Sequence, residues 1–226
     1  MIELQPWDDF LAGFKWQQGE HVSMVGPTGT GKTTLGMELL PKRTFVVVIG
    51  TKPRDATLTG LKKKGFKIIR SFPEHIDAET KPKLILWPKF EKPSDIRKQA
   101  RVVGKAMALM FAQGGWTVFV DEIRYVSETL KLKAMLELYW QQGRSIKLSL
   151  MGGTQRPAFV PLMMYDQATH LFFWRDNDKR NLEVIGGLGA LDAAEIREAV
   201  ANLAPHVTLY VNTRTGEMIE TKVVLP

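Results

Sequence analysis

Val22-Ser-Met-Val-Gly26-Pro-Thr-Gly-Thr-Gly31-Lys32-Thr33-Thr34-Leu-Gly-Met-Glu-Leu-Leu40 runs from an apolar strand pattern through a glycine-rich turn into a helix pattern. The strand is read over His21 to Val25, and the helix over Lys32 to Leu40, where Leu35, Met37, Leu39 and Leu40 supply the apolar positions. Between them, the glycines let the backbone curl so that successive N–H groups face one anion, and the helix behind presents its positive end to the same place. Two glycines and a Lys-Thr step at these fixed offsets arise by chance in about 1% of chains of this length. The segment therefore predicts a phosphate-binding loop for ATP. Gly26, Pro27, Thr28, Gly29, Thr30 and Gly31 form the cradle, and Lys32 reaches the β and γ phosphates. The Thr33 hydroxyl is placed to ligate Mg²⁺, with Thr34 as a helper.

Outward from the loop, apolar runs rich in β-branched residues alternate with helical stretches, the order of a parallel sheet with crossover helices. Further strands are predicted at Thr44 to Ile49, Phe66 to Arg70, Lys83 to Trp87, Trp116 to Val120, Ile146 to Met151 and Thr169 to Trp174. Helices are predicted at Asp55 to Lys64, Ser94 to Gln113 with Ser94 as N-cap, Ser127 to Gln142 and Ala193 to Asn202. Lys42-Arg43 and Gly114-Gly115 mark helix exits, and Gly186 to Gly189 is read as a turn. Val207 to Asn212 and Met218 to Val224 flank Thr-Arg-Thr-Gly, a hairpin expected to add an antiparallel edge. The expected fold class is α/β, a mostly parallel sheet flanked by helices with a C-terminal β-hairpin. The whole chain, residues 1–226, is read as one domain, with a core over about 20–175 and a C-terminal extension over about 176–226.

Two strand ends carry further chemistry. Trp116-Thr-Val-Phe-Val120 closes on Asp121-Glu122, and strand ends hold ligands in such sheets. Asp121 is expected in the Mg²⁺ shell and Glu122 as the base that polarises the attacking water, a pairing that points to hydrolysis. The strand beginning at Ile146 leads to Thr154-Gln155-Arg156-Pro157, which places Thr154 and Gln155 where a γ-phosphate or water is sensed.

The absence of cysteine excludes disulfides, thiolate metal sites and thiol nucleophiles, and fits a reducing cytoplasm. No stretch reads as a signal peptide or a membrane segment. Thirty-one Lys plus Arg against 24 Asp plus Glu leave +7, an excess that favours a polyanionic partner. Among several basic groups, Lys52 and Arg54 follow the second core strand on the edge that carries the loops, and are the preferred DNA contacts. Met107, Met110, Trp116 and Trp140 are read as core or subunit packing.

The loop, the Asp-Glu strand and the run from Gln142-Gly143-Arg144 to Thr154-Gln155-Arg156-Pro157 together resemble the FtsK–HerA superfamily of DNA-pumping P-loop ATPases, with a RecA/FtsK-like sheet. The likeness spans about Val22 to Pro161, and the Thr-Gln-Arg-Pro segment is its specific part. Within that superfamily, the short chain looks most like a viral genome-packaging ATPase. The resemblance implies a homo-oligomeric ring, pentamer or hexamer, that moves double-stranded DNA into a preformed capsid through a portal or capsid vertex protein. It implies a location in the host cytoplasm or on the virion. It also implies that Gln155 senses the γ-phosphate and that Arg144 reaches a neighbouring subunit's ATP, with Arg156 as the competing arginine. A Zot-like assembly or secretion ATPase, a small kinase or nucleotide switch, and a nucleotide-dependent scaffold remain the alternatives.

Overall fold

The computed structural model describes residues 2–186 and 193–224. The described strands, in chain order, are β1 Glu3–Gln5, β2 Val22–Val25, β3 Val46–Ile49, β4 Lys67–Ile69, β5 Lys83–Leu86, β6 Thr117–Val120, β7 Ser149–Thr154, β8 His170–Trp174, β9 Val207–Asn212 and β10 Met218–Lys222. The helices are α1 Trp7–Gly13, α2 Lys32–Leu39, α3 Ala56–Gly60, α4 Ile96–Gln113, α5 Lys133–Gln142, α6 Met163–Asp166, α7 Lys179–Gly186 and α8 Ala193–Asn202. All ten strands join one sheet in the order β1-β10-β9-β8-β2-β7-β6-β3-β5-β4. Its pairs are parallel except the two that β9 makes, with β8 and with β10.

The central strands are buried on both faces, which is why they read as unbroken apolar runs. Alternate residues divide between two cores. Val46, Val48 and Phe119 face α1, α2 and α3 through Phe10, Leu35 and Leu58, whereas Val47, Ile49 and Val118 face α4 and α5 through Val103, Met107, Met110, Tyr139 and Trp140. Met107, Met110, Trp116 and Trp140 are all buried, as packing residues should be. Gly114 and Gly115 both have positive φ, and a Cβ at Gly114 would meet the Ile146 carbonyl at 2.5 Å, so this exit from α4 requires glycine.

Four expectations need correction. The hairpin β9–β10 is not the sheet edge, because β1 pairs parallel to β10 outside it. The helix expected from Ser127 is broken: a π turn over Tyr125–Thr129 ends at Leu130, Lys131 takes φ 59°, and α5 starts at Lys133. Ser94 is not an N-cap, since a 3₁₀ turn Pro93–Asp95 precedes α4 and the Asp95 carboxylate accepts from the backbone N–H groups of Glu91 and Lys92. β7 lies three residues later than expected, with Ile146 in a 3₁₀ turn and the Gly152-Gly153 pair inside the strand. Of the turn expected at Gly186 to Gly189, Gly187 to Gly189 lie outside the described residues.

Candidate functional site

Parallel registry brings the ends of four strands to one edge: Val25 lies opposite Thr154, Val120 opposite Gly152, and Ile49 opposite Val120. The glycine loop after β2, Asp121 and Glu122 after β6, Gln155 after β7 and Lys52 after β3 therefore converge. The loop is tied to its neighbour by the Gly26 N–H, which donates to the Thr154 carbonyl at 3.1 Å.

Gly29 and Gly31 adopt φ +79° and +116°, a left-handed backbone that other residues rarely take. A Cβ at Gly31 would lie 2.9 Å from Val223, and one at Gly26 would lie 2.7 Å from the Trp174 side chain. No side chain caps the start of α2, whose first-turn N–H groups point at the loop. That curled backbone and uncapped helix end fit a phosphate group. The Lys32 ammonium is buried at the mouth, donating to the carbonyls of Gly26 and Pro27, both at 2.6 Å. Burial pulls its pKa down to about 8, against the opposing influence of Asp121 and Glu122. Thr34 lines a groove with Trp7, Leu11, Met37, Glu38, Lys64 and Val224.

The Thr33 hydroxyl donates to Asp121 Oδ1 at 2.8 Å. Two oxygens converging beside the loop are the donor type a hard divalent cation takes, so these residues fit Mg²⁺. Glu122 is half-buried, and its carboxyl is pushed up by burial and by the Asp121 charge, against the pull of Arg124's backbone N–H, Lys32 and Gln155. Gln155 joins the loop to this carboxylate. Its amide donates to Glu122 Oε2 at 3.2 Å, while its carbonyl accepts from the Thr28 hydroxyl at 2.8 Å.

Arg144 lies at the other edge. It belongs to the 3₁₀ turn Gly143–Ile146 that precedes β7, and its backbone packs under Gly19, just before β2. Six strand residues, roughly 20 Å, separate it from Gln155. Its exposed side chain is out of reach of its own chain's loop. Arg156 instead stays at the site, lining a cleft with Glu122, Arg124, Tyr125 and Gln155.

Some features had no signal in the sequence. A Cβ at Gly153 would stand 2.5 Å from the Asp121 carbonyl, and one at Gly152 would stand 2.8 Å from Ile123. The glycine pair thus lets the turn bearing Asp121 and Glu122 fold down onto β7. Lys52 is the other surprise: its ammonium faces Asp121 Oδ2 at 3.3 Å and Asp55 Oδ2 at 3.5 Å. Arg54, two residues on, is exposed on the surface.

No protein-family profile matches the chain, and neither does any curated protein sequence. Solved structures do. The DNA-packaging ATPase B204 of Sulfolobus Turreted Icosahedral Virus matches with a TM-score of 0.63 at 13% identity, over 93% of this chain and 100% of that one. The genome-packaging NTPase B204 of Sulfolobus turreted icosahedral virus 2, in complex with AMPPCP, gives 0.64 at 16% identity, over 92% and 100%. The fold is that of the packaging and secretion ATPases. The Type VII secretion ATPase EccC of Thermomonospora curvata also matches, with a TM-score of 0.57 at 14% identity, over 91% of this chain and 25% of that one. This is the fold that the Thr-Gln-Arg-Pro resemblance implied.

Proposed function

We propose that the chain is an FtsK–HerA-type ATPase that drives double-stranded DNA into a viral shell as a homo-oligomeric ring, in the host cytoplasm or on the virion. The observation that carries the hydrolytic part is the Thr28–Gln155–Glu122 bridge, which joins the phosphate loop to a half-buried carboxylate through one amide. Lys32 and the loop N–H groups hold the polyphosphate, and Glu122 takes the proton of the attacking water. Gln155 registers the γ-phosphate because both ends of its amide are already committed to the groups that flank it. Thr33 and Asp121 would hold Mg²⁺, which supplies charge neutralisation at the β and γ oxygens when bound.

The packaging part is supported by the B204 likeness over nearly the whole chain and by the +7 charge, which suits a polyanion. Arg54 is an exposed cation on the loop edge. A portal or capsid vertex protein is the partner this reading calls for. Among the described residues, no helix is long and apolar enough to cross a membrane.

Because secretion ATPases share the fold, DNA is the discriminating substrate. ATP turnover should rise with protein concentration and rise again with long duplex DNA, and DNA affinity should fall steeply with salt irrespective of sequence. Turnover indifferent to DNA at every protein concentration would favour the secretion class.

A further inference from the structure

The segment after β3 crosses the end of β6 with its backbone pinned. Gly50 admits the turn, since a Cβ there would meet the Trp87 ring at 2.9 Å. The Thr51 carbonyl accepts from the Gln99 side-chain amide at 3.1 Å, and the Lys52 carbonyl accepts from the Trp87 indole N–H at 2.7 Å. Gln99 is fully buried on α4, and its own oxygen accepts from the Tyr125 hydroxyl at 2.7 Å. Asp55 is fixed as well, because its Oδ1 accepts from the Leu58 N–H at the start of α3, 3.0 Å away.

With the backbone held, the Lys52 side chain is the part free to move. Its four-carbon stem carries a compact charge between two carboxylates. The oxygens of Asp121 are divided: Oδ1 takes the Thr33 hydroxyl and Oδ2 takes Lys52. A divalent cation bound by Thr33 and Asp121 would compete with the ammonium for the same carboxylate, and Lys32 adds a like charge nearby. Asp55 is already within salt-bridge distance, so Lys52 can leave Asp121 without any backbone change.

We propose that Lys52 is a second lysine of the nucleotide site: while the metal is absent it holds Asp121 Oδ2 and attracts the polyphosphate as a stand-in cation, and when the divalent metal binds it yields that oxygen and pairs with Asp55, so that it serves the nucleotide site rather than DNA. This rests on the nucleotide-site reading above. Lys52 is a positioning residue for Asp121.

The test uses the full chain with Lys52→Met, and with Lys52→Arg as the charge-keeping control. Mn²⁺ binding without nucleotide is read by electron paramagnetic resonance, with Asp121→Asn marking the specific site. ATP and tripolyphosphate binding in EDTA are read by calorimetry. Lys52→Met should bind Mn²⁺ about three- to tenfold more tightly, because a competing cation is gone, and should bind metal-free ATP and tripolyphosphate several-fold more weakly. Lys52→Arg should return both towards the parental values. Unchanged or weaker Mn²⁺ binding in Lys52→Met, or parental affinity for metal-free ATP, would overturn the proposal. If the parent itself binds neither ATP nor tripolyphosphate, it is the nucleotide site that falls. If the parent binds both and Lys52→Met is indistinguishable from it, only the role of Lys52 falls.

Discussion

The two ends of β7 differ in what they offer one molecule. At one end, Gln155 touches both the phosphate loop and Glu122, and Gly152-Gly153 seat the turn that carries Asp121. At the other end, Arg144 stands exposed on a short turn, about the full length of the strand from any phosphate its own loop holds. Near it lie hydrogen-bonded polar groups of the fold. His21 accepts from the Leu150 N–H at 3.0 Å, and Glu20 joins His170 at 3.0 Å and Arg214 at 2.7 Å. One end thus gathers the nucleotide-site residues, whereas the other carries an exposed cation far from them.

Lesions at the two ends should separate accordingly. The largest effect is expected from Lys32→Ala, which removes the buried cation of the loop and should take ATP turnover below detection along with most nucleotide binding. Undiminished turnover would remove the site assignment. Next comes Gly153→Ala, whose added methyl meets the Asp121 carbonyl. Overpacking of this kind costs about 1–3 kcal/mol in a melt, and displacement of the Asp121–Glu122 turn should lower turnover by at least about tenfold. A variant with parental turnover would show that the turn need not lie on β7.

The smallest effect on turnover belongs to His21, at the opposite end. Burial pulls its pKa down to about 4 from the usual 6.5, so the folded protein keeps it neutral. Between those values the unfolded chain binds the extra proton. Stability is therefore full above pH 6.5 and is lost as pH falls towards 4, by about 3 kcal/mol from this residue. Urea melts at pH 7 and pH 4 should show that difference shrinking in His21→Gln, with turnover per folded protein at pH 7 unchanged. An identical pH dependence in the variant would place the acid sensitivity elsewhere.

The readable parts of this molecule were those whose chemistry is local. A loop with glycines at Gly29 and Gly31 states its own backbone, and Asp121-Glu122 closing an apolar strand states its own sheet edge. What was missed depends on distant contacts. The strand is expected to end at Met151, but Gly152 and Gly153 pair with Ser23 and Met24 of β2 and continue it, and they are glycines because Asp121 and Ile123, just past β6, press on them. β1 and α1 are too short to declare themselves and form on β10 and on the aromatic cluster of Phe10, Phe172 and Tyr210. The amphipathic α7 was missed, and the helix after Glu122 was drawn through a π turn that no local residue announces. Lys52 reads as a DNA contact because sequence gives no direction for a side chain, and in the structure it faces Asp121.

The central claim is that the working site is shared between copies, and one mixing experiment tests it. Arg144→Ala should bind ATP nearly normally yet hydrolyse it about a thousandfold more slowly, the range seen for an arginine finger. Mixed with Lys32→Ala subunits, whose arginine is intact, it should regain turnover under conditions that permit assembly, although each variant alone is inactive. Assembled mixtures that remain inactive, or full turnover by Arg144→Ala alone, would contradict a trans-acting Arg144 and turn attention to Arg156, which already lines the cleft beside Glu122.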